Sequence, residues 1–378
     1  MATKLMDKIL LSRFKGCLVG GVVGDCIGAL YEGLSHVKTN DLIERINKLE
    51  KDRQTQREHG TKPAEKYGFS YTDDTAMARS VAGSLIDKGQ FDAPDMGKRF
   101  AEEYFREPDR GYGGSIAAVF DGIRDTNTTD VYQPASKQFE GSGSYGNGGA
   151  MRIAPAALFT FCDNNATKLI SLVSSITRLT HTNHLAIHGA ILVALAVDQS
   201  LRLPQDTAVD CDEFIEALII KLRPLEEEHD KSSMGPPPLK KNSKRVLDAS
   251  ATPYCAKLKR IKEMLKEPNL KTATVVEELG TDVSALGSVP AAVLCFLKAA
   301  IQNIPKLKDH NKFSQTVLYA ITLGGDTDTV ATMAGAMAGA LYGMEAIPES
   351  WRYYCEGVAD AETMAEHFFN MTQAPTVQ

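Results

Sequence analysis

Two segments that lie far apart in the sequence each place aspartates and threonines directly before a run of small apolar residues. They are YTDDTAMARSVAGSLI, which begins at Tyr71, and GGDTDTVATMAGAMAG, which begins at Gly324. Their oxygen-bearing residues are Thr72, Asp73, Asp74, Asp326, Thr327, Asp328 and Thr329. Both residue types cap helix N-termini, and a helix start tolerates negative charge, so capping accounts for one residue in each segment. The other side chains need a further explanation.

Mg²⁺, Mn²⁺ and Ca²⁺ prefer oxygen ligands such as carboxylates and hydroxyls, whereas zinc sites usually include histidine or cysteine. Adjacent carboxylates repel each other unless a cation or a proton lies between them. A fifth carboxylate follows a glycine stripe in GGVVGDCIGALYEG, where Gly20, Gly24, Gly28 and Glu32 recur every four residues and share one helical face. The stripe alone indicates only a close helix contact. Five carboxylates exceed what one Mg²⁺ usually takes from protein, so we expect two ions that hold an attacking water and a substrate oxygen together.

A glycine-rich segment, GSGSYGNGGAMR, begins at Gly141. The spacing of Gly141, Gly143 and Gly146 matches a dinucleotide-binding pattern only weakly, because no strand precedes it and no Lys-Ser/Thr pair follows. A glycine-rich loop before a helix can still offer backbone N–H groups to phosphate, and Phe139 and Tyr145 could stack on a base. An ordinary flexible loop is the alternative.

Three histidines in LTHTNHLAIHG fall on one face of a predicted helix: His181, His184 and His188. No acidic or cysteine ligand flanks them, so we favour surface or core histidines over a zinc site. His181, which follows Thr180 at the expected helix start, is the candidate for a role in the site.

Most apolar residues recur at helical spacing, and segments with the alternation typical of strands are lacking. We therefore predict an all-α protein, with one compact multi-helix domain over residues 1–378. Two polar stretches interrupt the pattern. Residues 35–69 are predicted to form a mobile flap after the first helix, and residues 226–253 a charged, proline-rich loop.

The chain has 378 residues and a formal net charge of -6. An acidic protein has no general attraction for nucleic acid or anionic membranes, so we expect neither as a partner. We also expect a monomer. Seven scattered cysteines without a Cys-x-x-Cys pair indicate a reducing compartment. Since no secretory signal is recognised, we expect an intracellular protein of nucleus and cytoplasm. The basic, mildly amphipathic N-terminal segment also admits the mitochondrial matrix.

Taken together, GVVGDCIGALYE, YTDDTAM, GSYGNGGAMRIAP, LTH and GGDTDTVATMAGAMAGALYG closely resemble the ADP-ribosylglycohydrolase family over nearly the whole chain. The paired metal motifs in this order are highly specific. The likeness is greatest to the vertebrate branch that removes ADP-ribose from serine and degrades poly(ADP-ribose). The indications are the sequence at 143–149, threonine at 327 and 329, and Glu32 before a polar loop.

The resemblance implies an all-α orthogonal bundle with a central site for two Mg²⁺, with Mn²⁺ as the alternative ion. It implies as metal ligands Glu32, Thr72, Asp73, Asp74, Asp326, Asp328 and Thr329, with Glu32 carried on a movable flap. It implies as substrate-binding residues Asp73, Phe139, Ser142, Gly143, Ser144, Tyr145, Gly146, Asn147, Gly148, His181, Leu247 and Val283. Residues 142–148 would hold the diphosphate and ribose, and the two aromatic residues the adenine.

The resemblance implies a glycosidase that cleaves the O-glycosidic bond at the anomeric carbon of ADP-ribose in modified serine, poly(ADP-ribose) and O-acetyl-ADP-ribose. Asp73 or Asp74 could orient or deprotonate the water, and Glu32 could protonate the leaving oxygen. Three alternatives stay open. They are an ADP-ribosyl-arginine hydrolase, a metal-free two-carboxylate glycosidase that leaves the threonines unexplained, and an inactive ADP-ribose-binding relative, against which the full set of ligand positions argues.

Overall fold

The structure, a computed structural model, describes residues 2–59, 68–125, 129–204, 208–232 and 246–373. These residues contain α-helices, short 3-10 turns and two isolated bridges, but no strand. In chain order the helices are α1 (Ala2–Gly28), α2 (Thr39–His59), α3 (Asp73–Lys88), α4 (Ala93–Arg106), α5 (Ile116–Arg124), α6 (Gln133–Ser136), α7 (Gly148–Met151), α8 (Ala154–Phe159), α9 (Ala166–Arg178), α10 (His184–Arg202), α11 (Cys211–Ser232), α12 (Pro253–Met264), α13 (Thr272–Glu278), α14 (Ala285–Ile301), α15 (Lys312–Thr322), α16 (Thr327–Tyr342), α17 (Glu349–Tyr354) and α18 (Val358–Gln373). The prediction of an all-α fold is confirmed.

The centre of the bundle is the contact between α1 and α16, which is built from small residues. A Cβ atom on Gly20 would collide with the backbone carbonyl of Gly335. Glycine therefore lets the two backbones approach more closely than any side chain would allow. At the end of α1, a Cβ on Gly28 would meet the backbone of Asp328. The stripe found in the sequence is thus a helix contact, and that contact sets the start of α16 against the end of α1.

Two further helices, α10 and α14, complete the core around α16 and are buried along nearly their whole length. An apolar helix that faces protein on all sides has no polar face to present to solvent. Two segments, Lys4–Tyr31 and His184–Arg202, are long and apolar enough to cross a membrane by length and composition, and 78% of an apolar 18-residue window in each is buried inside the fold. Burial in a protein core accounts for their composition.

The stretch predicted to be a mobile flap, residues 35–69, contains α2, a helix of 21 residues that the sequence analysis did not recognise. Residues 60–67 of the same stretch lie outside the described residues. Only a few side chains of α2 face the core, among them Leu42 and Ile46, which are buried one helical turn apart. A stripe this narrow was hidden by the charged residues around it.

An ion pair fixes α2 to the rest of the fold. The guanidinium of Arg53 donates to the carboxylate of Glu349 at 2.7 Å and lies 3.5 Å from the ring centre of Tyr353. Bidentate pairing combined with stacking is a geometry that lysine cannot reproduce. The segment that follows Glu32 is therefore anchored at its far end on α17.

The proposed loop over residues 226–253 is also too wide, because α11 continues into it and α12 begins at its end. Glu226, which we placed in the loop, is buried. Its two carboxylate oxygens accept the backbone N–H groups of Tyr254 at 2.8 Å and Cys255 at 3.0 Å, so it satisfies the free donors at the start of α12. Residues 233–245, the proline-rich part, lie outside the described residues.

Candidate active site

The two Asp/Thr segments meet at one cavity of about 280 Å³. The predicted site residues that line it are Glu32, Asp73, Asp74, Phe139, Ser144, Tyr145, Gly146, Asn147, Gly148, His181, Val283, Asp326, Asp328 and Thr329. The predicted residues that do not line it are Thr72, Ser142, Gly143 and Leu247. The fold thus brings together residues from six separated parts of the chain.

The start of α3 positions the first pair of carboxylates. Thr72 is the N-cap, and its hydroxyl accepts the backbone N–H of Asp74 at 3.3 Å. The backbone N–H of Asp73 donates to the carbonyl of Arg110 at 2.7 Å, and Arg110 pairs with Glu356 at 2.8 Å. Capping therefore explains Thr72, as the sequence suggested, but leaves the two aspartate side chains unexplained.

The start of α16 positions the second pair. Asp326 occupies the N-cap position, yet its side chain makes no capping hydrogen bond. Instead its carboxylate accepts the side-chain amide of Asn147 at 2.6 Å, while its backbone N–H donates to Thr281 at 2.8 Å. Asp328 accepts the backbone N–H of Thr329 at 2.9 Å. The capping explanation is therefore wrong for Asp326, whose side chain is turned toward the cavity residues.

The two helix starts contact each other through Thr329, whose hydroxyl donates to Asp74 Oδ2 at 3.2 Å. The other oxygen of Asp74 is buried and has no hydrogen-bond partner. Carboxylate oxygens of Glu32, Asp326 and Asp328 all lie within 4.8 Å of one another. Carboxylates from three segments of the chain thus converge on one volume.

The neighbouring threonine of α16 has a different role. The hydroxyl of Thr327, fully buried, donates to the carbonyl of Gly28 at 2.8 Å. Next to it, Gly325 has φ of +80° and donates to the carbonyl of Leu34 at 2.7 Å, while Gly33 donates to the carbonyl of Gly325 at 2.9 Å. Since few side chains tolerate that φ, glycine is required for this turn. These bonds set the Glu32 turn directly against the start of α16.

Sequence reasoning missed Asp25, which lies on α1 and is fully buried. One of its oxygens accepts the N–H and hydroxyl of Thr72 at 3.0 and 2.8 Å, and the other accepts those of Thr75 at 3.0 and 2.6 Å. The bond to Asp25 uses the hydroxyl hydrogen of Thr72, and the same hydroxyl oxygen accepts the N–H of Asp74 with one of its two lone pairs. A single carboxylate in the otherwise uncharged, glycine-rich half of α1, residues 16–28, was the signal, since a buried carboxylate must be paired or hydrogen-bonded.

Crowding and burial shift the ionisation of this cluster. Burial, followed by the charges of Asp25 and Asp326, raises the pKa of Asp73 to about 8. Burial, followed by the hydrogen bond and charge of Asp326, raises the pKa of Asp328 to about 10. Burial and the charges of Asp25 and Asp328 also raise the pKa of Asp74 well above its usual range. Without a cation, therefore, each ionised aspartate makes ionisation of its neighbours less favourable.

Asp25 is the most buried carboxylate of this group, and Glu32 is the most exposed. Burial raises the pKa of Asp25 to about 6, although the bonds from Thr75 and Thr72 act in the opposite direction. Glu32 is the exposed carboxylate of the group, and partial burial and the charge of Asp326 raise its pKa. An exposed carboxyl with a raised pKa is suited to exchange a proton with a ligand in the cavity.

The donor set fits a hard cation. The groups are carboxylates and hydroxyls, and Asp74 contributes a buried oxygen that no protein donor satisfies. Buried carboxylate oxygens are normally hydrogen-bonded or bound to a metal. We therefore assign the acidic cluster as a candidate metal-binding group, as the sequence predicted.

A bridge to another loop holds the glycine-rich loop at the cavity. The N–H of Asn147 donates to the carbonyl of Val283 at 3.0 Å, and the N–H of Ala285 donates to the carbonyl of Tyr145 at 3.0 Å. Phe139 and Tyr145 are 51% and 43% exposed, with ring centres 6.4 Å apart. Two aromatic rings in this arrangement leave their faces accessible to a ligand, so the predicted stacking on adenine remains a prediction.

Three of the predicted substrate-binding residues lie away from the cavity surface. The hydroxyl of Ser142 donates to the carbonyl of Phe139 at 2.8 Å, and Gly143 is buried against Thr182. Leu247 is half-buried in a 3-10 turn that packs against α12. Ser142 and Gly143 therefore belong to the glycine-rich loop without lining the cavity, whereas Leu247 lies in another part of the fold.

The prediction that three histidines share a helical face is wrong for His181. His184 and His188 lie on α10 with ring centres 5.8 Å apart, but His181 precedes the helix, in the turn after α9. Asn183 is the residue that caps α10, by accepting the N–H of Leu185 at 3.0 Å. Leaving the helix frees His181 to line the cavity.

Part of the cavity wall was not predicted. It includes Gly111, Tyr112, Gly113 and Ile116, and Arg152 lies nearby at the end of α7. The hydroxyl of Tyr112 is buried without a hydrogen-bond partner. Two glycines around a tyrosine in the segment GYGG were the available signal.

Comparison with known proteins gives the class of this all-helical fold, in which a carboxylate–hydroxyl cluster lines a ligand-sized cavity. The profile of the family described as ADP-ribosylglycohydrolase matches residues 6–377, and the chain belongs to that family. The protein is therefore a glycosidase that acts on ADP-ribose linkages.

Several individual proteins are similar over nearly the whole chain. ADP-ribosylhydrolase ARH3 of Gallus gallus is 43% identical, with 94% of this chain and 92% of the relative covered. ADP-ribosylhydrolase ARH3 of Homo sapiens is 39% identical, with 96% and 94% covered. ADP-ribosylarginine hydrolase Tri1 of Pseudomonas putida (strain GB-1) is 23% identical, with 100% and 82% covered.

Among solved structures, one titled "ADP-ribosylglycohydrolase-related protein complex" superimposes with a TM-score of 0.59 at 24% identity, covering 97% of this chain and 99% of the other. That likeness confirms the fold.

Proposed function

We propose that this protein is a Mg²⁺-dependent hydrolase that removes ADP-ribose from serine of modified proteins and degrades poly(ADP-ribose), with O-acetyl-ADP-ribose as a further substrate. The observation that carries the proposal is the convergence of Glu32, Asp326 and Asp328, with oxygens within 4.8 Å of one another, at a cavity that the glycine-rich loop also lines. The loop is suited to the diphosphate, and the acidic cluster to the ribose.

The residues that would hold two Mg²⁺ ions are Glu32, Thr72, Asp73, Asp74, Asp326, Asp328 and Thr329. When bound, the ions would supply positive charge for the vicinal ribose hydroxyls and for the attacking water. Mn²⁺ has the same preference for oxygen ligands and could occupy the same positions.

The protein's own groups would act on protons and orientation. The backbone of Asp73 is fixed by Arg110, so its carboxylate is a suitable group to orient the water or accept its proton. Asp74, held by Thr329, is the alternative base. Glu32, exposed and with a raised pKa, is suited to protonate the departing oxygen, which would otherwise leave as a poor alkoxide.

The preference for O-linked ADP-ribose is supported by the pattern of identity rather than by a contact. The relatives named ADP-ribosylhydrolase ARH3 are 37–43% identical, whereas the named arginine hydrolase is 23% identical. The seven free cysteines, five of them buried, support an intracellular setting, for which we propose nucleus and cytoplasm with the mitochondrial matrix as an additional location. We propose modified proteins and the polymer as partners of a monomeric enzyme.

The test is release of ADP-ribose from two synthetic peptides that differ only in the modified residue, serine or arginine. We expect turnover of the seryl peptide and of poly(ADP-ribose), with at least a hundredfold lower kcat/KM for the arginyl peptide, about 3 kcal/mol at the transition state. Preferential cleavage of the arginyl peptide would instead make the protein an ADP-ribosyl-arginine hydrolase. Binding of ADP-ribose without cleavage of either peptide would make it an inactive relative.

A further inference from the structure

A chain of two hydrogen bonds runs from a buried arginine to a cavity-lining histidine. Nη2 of Arg152 donates to Oγ1 of Thr180 at 2.6 Å, and the same oxygen lies 2.7 Å from Nδ1 of His181. Thr180 is fully buried, and Arg152 and His181 are 2% and 8% exposed. The guanidinium also lies 4.4 Å from the ring centre of Phe100, which fixes its plane. None of these bonds is open to competition from bulk water.

The direction of each bond follows from the chemistry of the groups. A guanidinium can only donate, so the Thr180 oxygen must accept from Arg152. The hydroxyl has one hydrogen, and the remaining neighbour that can receive it is Nδ1 of His181. An acceptor nitrogen carries a lone pair, so in a neutral ring the hydrogen must be on Nε2. Burial, followed by the charge of Arg152, lowers the pKa of His181 to about 3, which agrees with a neutral ring.

Nε2 faces the glycine-rich loop. A Cβ atom would lie 3.3 Å from Nε2 if built on Gly146 and 3.1 Å if built on Gly148, so the ring uses space that only glycine leaves open. Nε2 has no hydrogen-bond partner among the described residues, and His181 lines the cavity. The Nε2–H is therefore a donor directed at the part of the site assigned to the diphosphate and ribose.

We propose that Arg152 and Thr180 are positioning residues that hold His181 as a neutral Nε2–H donor for an oxygen of bound ADP-ribose. The identity of that ligand rests on the proposed function. The other tautomer would present a lone pair to the ligand, and a lone pair repels an anionic oxygen. Arg152 thus acts on the ligand through the hydroxyl and the ring, in addition to its positive charge.

The first test needs no substrate. Nitrogen-15 NMR of the histidine side chains of the full-length protein, with His181→Asn to assign the signal, measures which ring nitrogen carries the hydrogen. We expect the Nε2–H form at pH 7. Detection of the Nδ1–H form as the major species would overturn the proposal.

The second test compares Thr180→Val, which keeps the side-chain shape but removes the hydroxyl, with Thr180→Ser, which keeps the hydroxyl. We expect Thr180→Val to show a mixture of tautomers and to bind ADP-ribose about tenfold more weakly by calorimetry, while Thr180→Ser resembles the wild type in both respects. Equal tautomers and affinities in the two variants would contradict the proposal. If Thr180→Val fails to fold, the wild-type spectrum and Thr180→Ser still decide the tautomer.

The outcomes separate this inference from the proposed function. A wild-type protein that shows the Nε2–H tautomer but does not bind ADP-ribose retains the arrangement of Arg152, Thr180 and His181 and loses the ligand. A protein that binds and hydrolyses ADP-ribose conjugates with the Nδ1–H tautomer retains the function and loses the positioning role.

Discussion

At the scale of single residues, Glu32 differs from the other carboxylates because it is exposed and lies on a turn rather than at the start of a helix. If it completes the metal site in the empty enzyme and acts as an acid when substrate enters, Glu32→Ala should lower kcat by about a hundredfold or more. Affinity for ADP-ribose should survive or increase, because a competing carboxylate has been removed. Steady-state kinetics and direct calorimetric binding measure the two quantities separately.

The control for this prediction is Asp73→Ala, which should impair both kcat and binding, since Asp73 is a proposed metal ligand held at the start of α3. Wild-type turnover by Glu32→Ala would reduce Glu32 to a surface residue. A parallel loss of binding in both variants would remove its distinct role as an acid.

Asp25 contacts no part of the cavity surface, yet it accepts four hydrogen bonds from Thr72 and Thr75. Asp25→Asn replaces one acceptor oxygen with an NH₂ group that faces two donors. Loss of this support should weaken Mg²⁺ affinity by roughly 10–100-fold, the usual effect of removing an outer partner of a metal ligand. Isothermal titration with Mg²⁺ tests the expectation. Asp7→Asn on the same helix is the control, and an unchanged affinity in Asp25→Asn would show that Thr72 needs no such support.

At the scale of elements, the start of α16 is positioned by its glycine contact with α1. Gly20→Ala should destabilise the protein by about 1–3 kcal/mol, because the new Cβ meets the carbonyl of Gly335. Gly21→Ala is the matched control on the next residue, where the nearest atom to the new Cβ is 3.7 Å away. That variant should be neutral or gain up to about 1 kcal/mol of helix propensity. Urea denaturation measures both, and equal stabilities would contradict a close contact at Gly20.

Elements with a wide apolar face were predictable from the sequence, and those with a narrow face were not. Helices such as α10 and α14 are apolar on all sides, so their patterns were evident. In α2, the two buried side chains Leu42 and Ile46 are separated by charged residues, and the pairing of Arg53 with Glu349 depends on an element almost 300 positions away. A partner so distant in the sequence cannot be recognised from local composition.

The residues of the candidate site also divide into those that the local sequence indicated and those that depend on distant partners. The proposed metal ligands were recognised because two segments repeat the same residue types, and the glycine stripe leading to Glu32 was recognised from its spacing. Asp25 and Arg152 were not assigned, although both stand in motifs that were recognised, because their partners Thr72 and Thr180 come from other segments. Residue type predicts the chemistry of a group, whereas its hydrogen-bond partner is fixed by the packing of helices.

At the scale of the whole molecule, the charge of the cavity is the property that most needs an explanation. Five carboxylates line it, and Arg152 is the only residue with a full positive charge among the described residues that do so. The chain as a whole carries a net charge of -6. A diphosphate would be repelled by this cavity unless cations reverse its charge. We therefore propose that metal is needed both for binding an anionic ligand and for the reaction at the ribose.

The most direct measurement of this claim is the rate of ADP-ribose release from a seryl-ADP-ribosylated peptide by protein stripped of metal with EDTA and then titrated with Mg²⁺. Asp328→Ala and the exposed Asp121→Ala, treated in the same way, serve as the ligand variant and its control. We predict no turnover by the stripped wild type, recovery on addition of Mg²⁺, the same behaviour for Asp121→Ala, and no recovery for Asp328→Ala. Full activity of the thoroughly stripped wild-type protein would contradict the account.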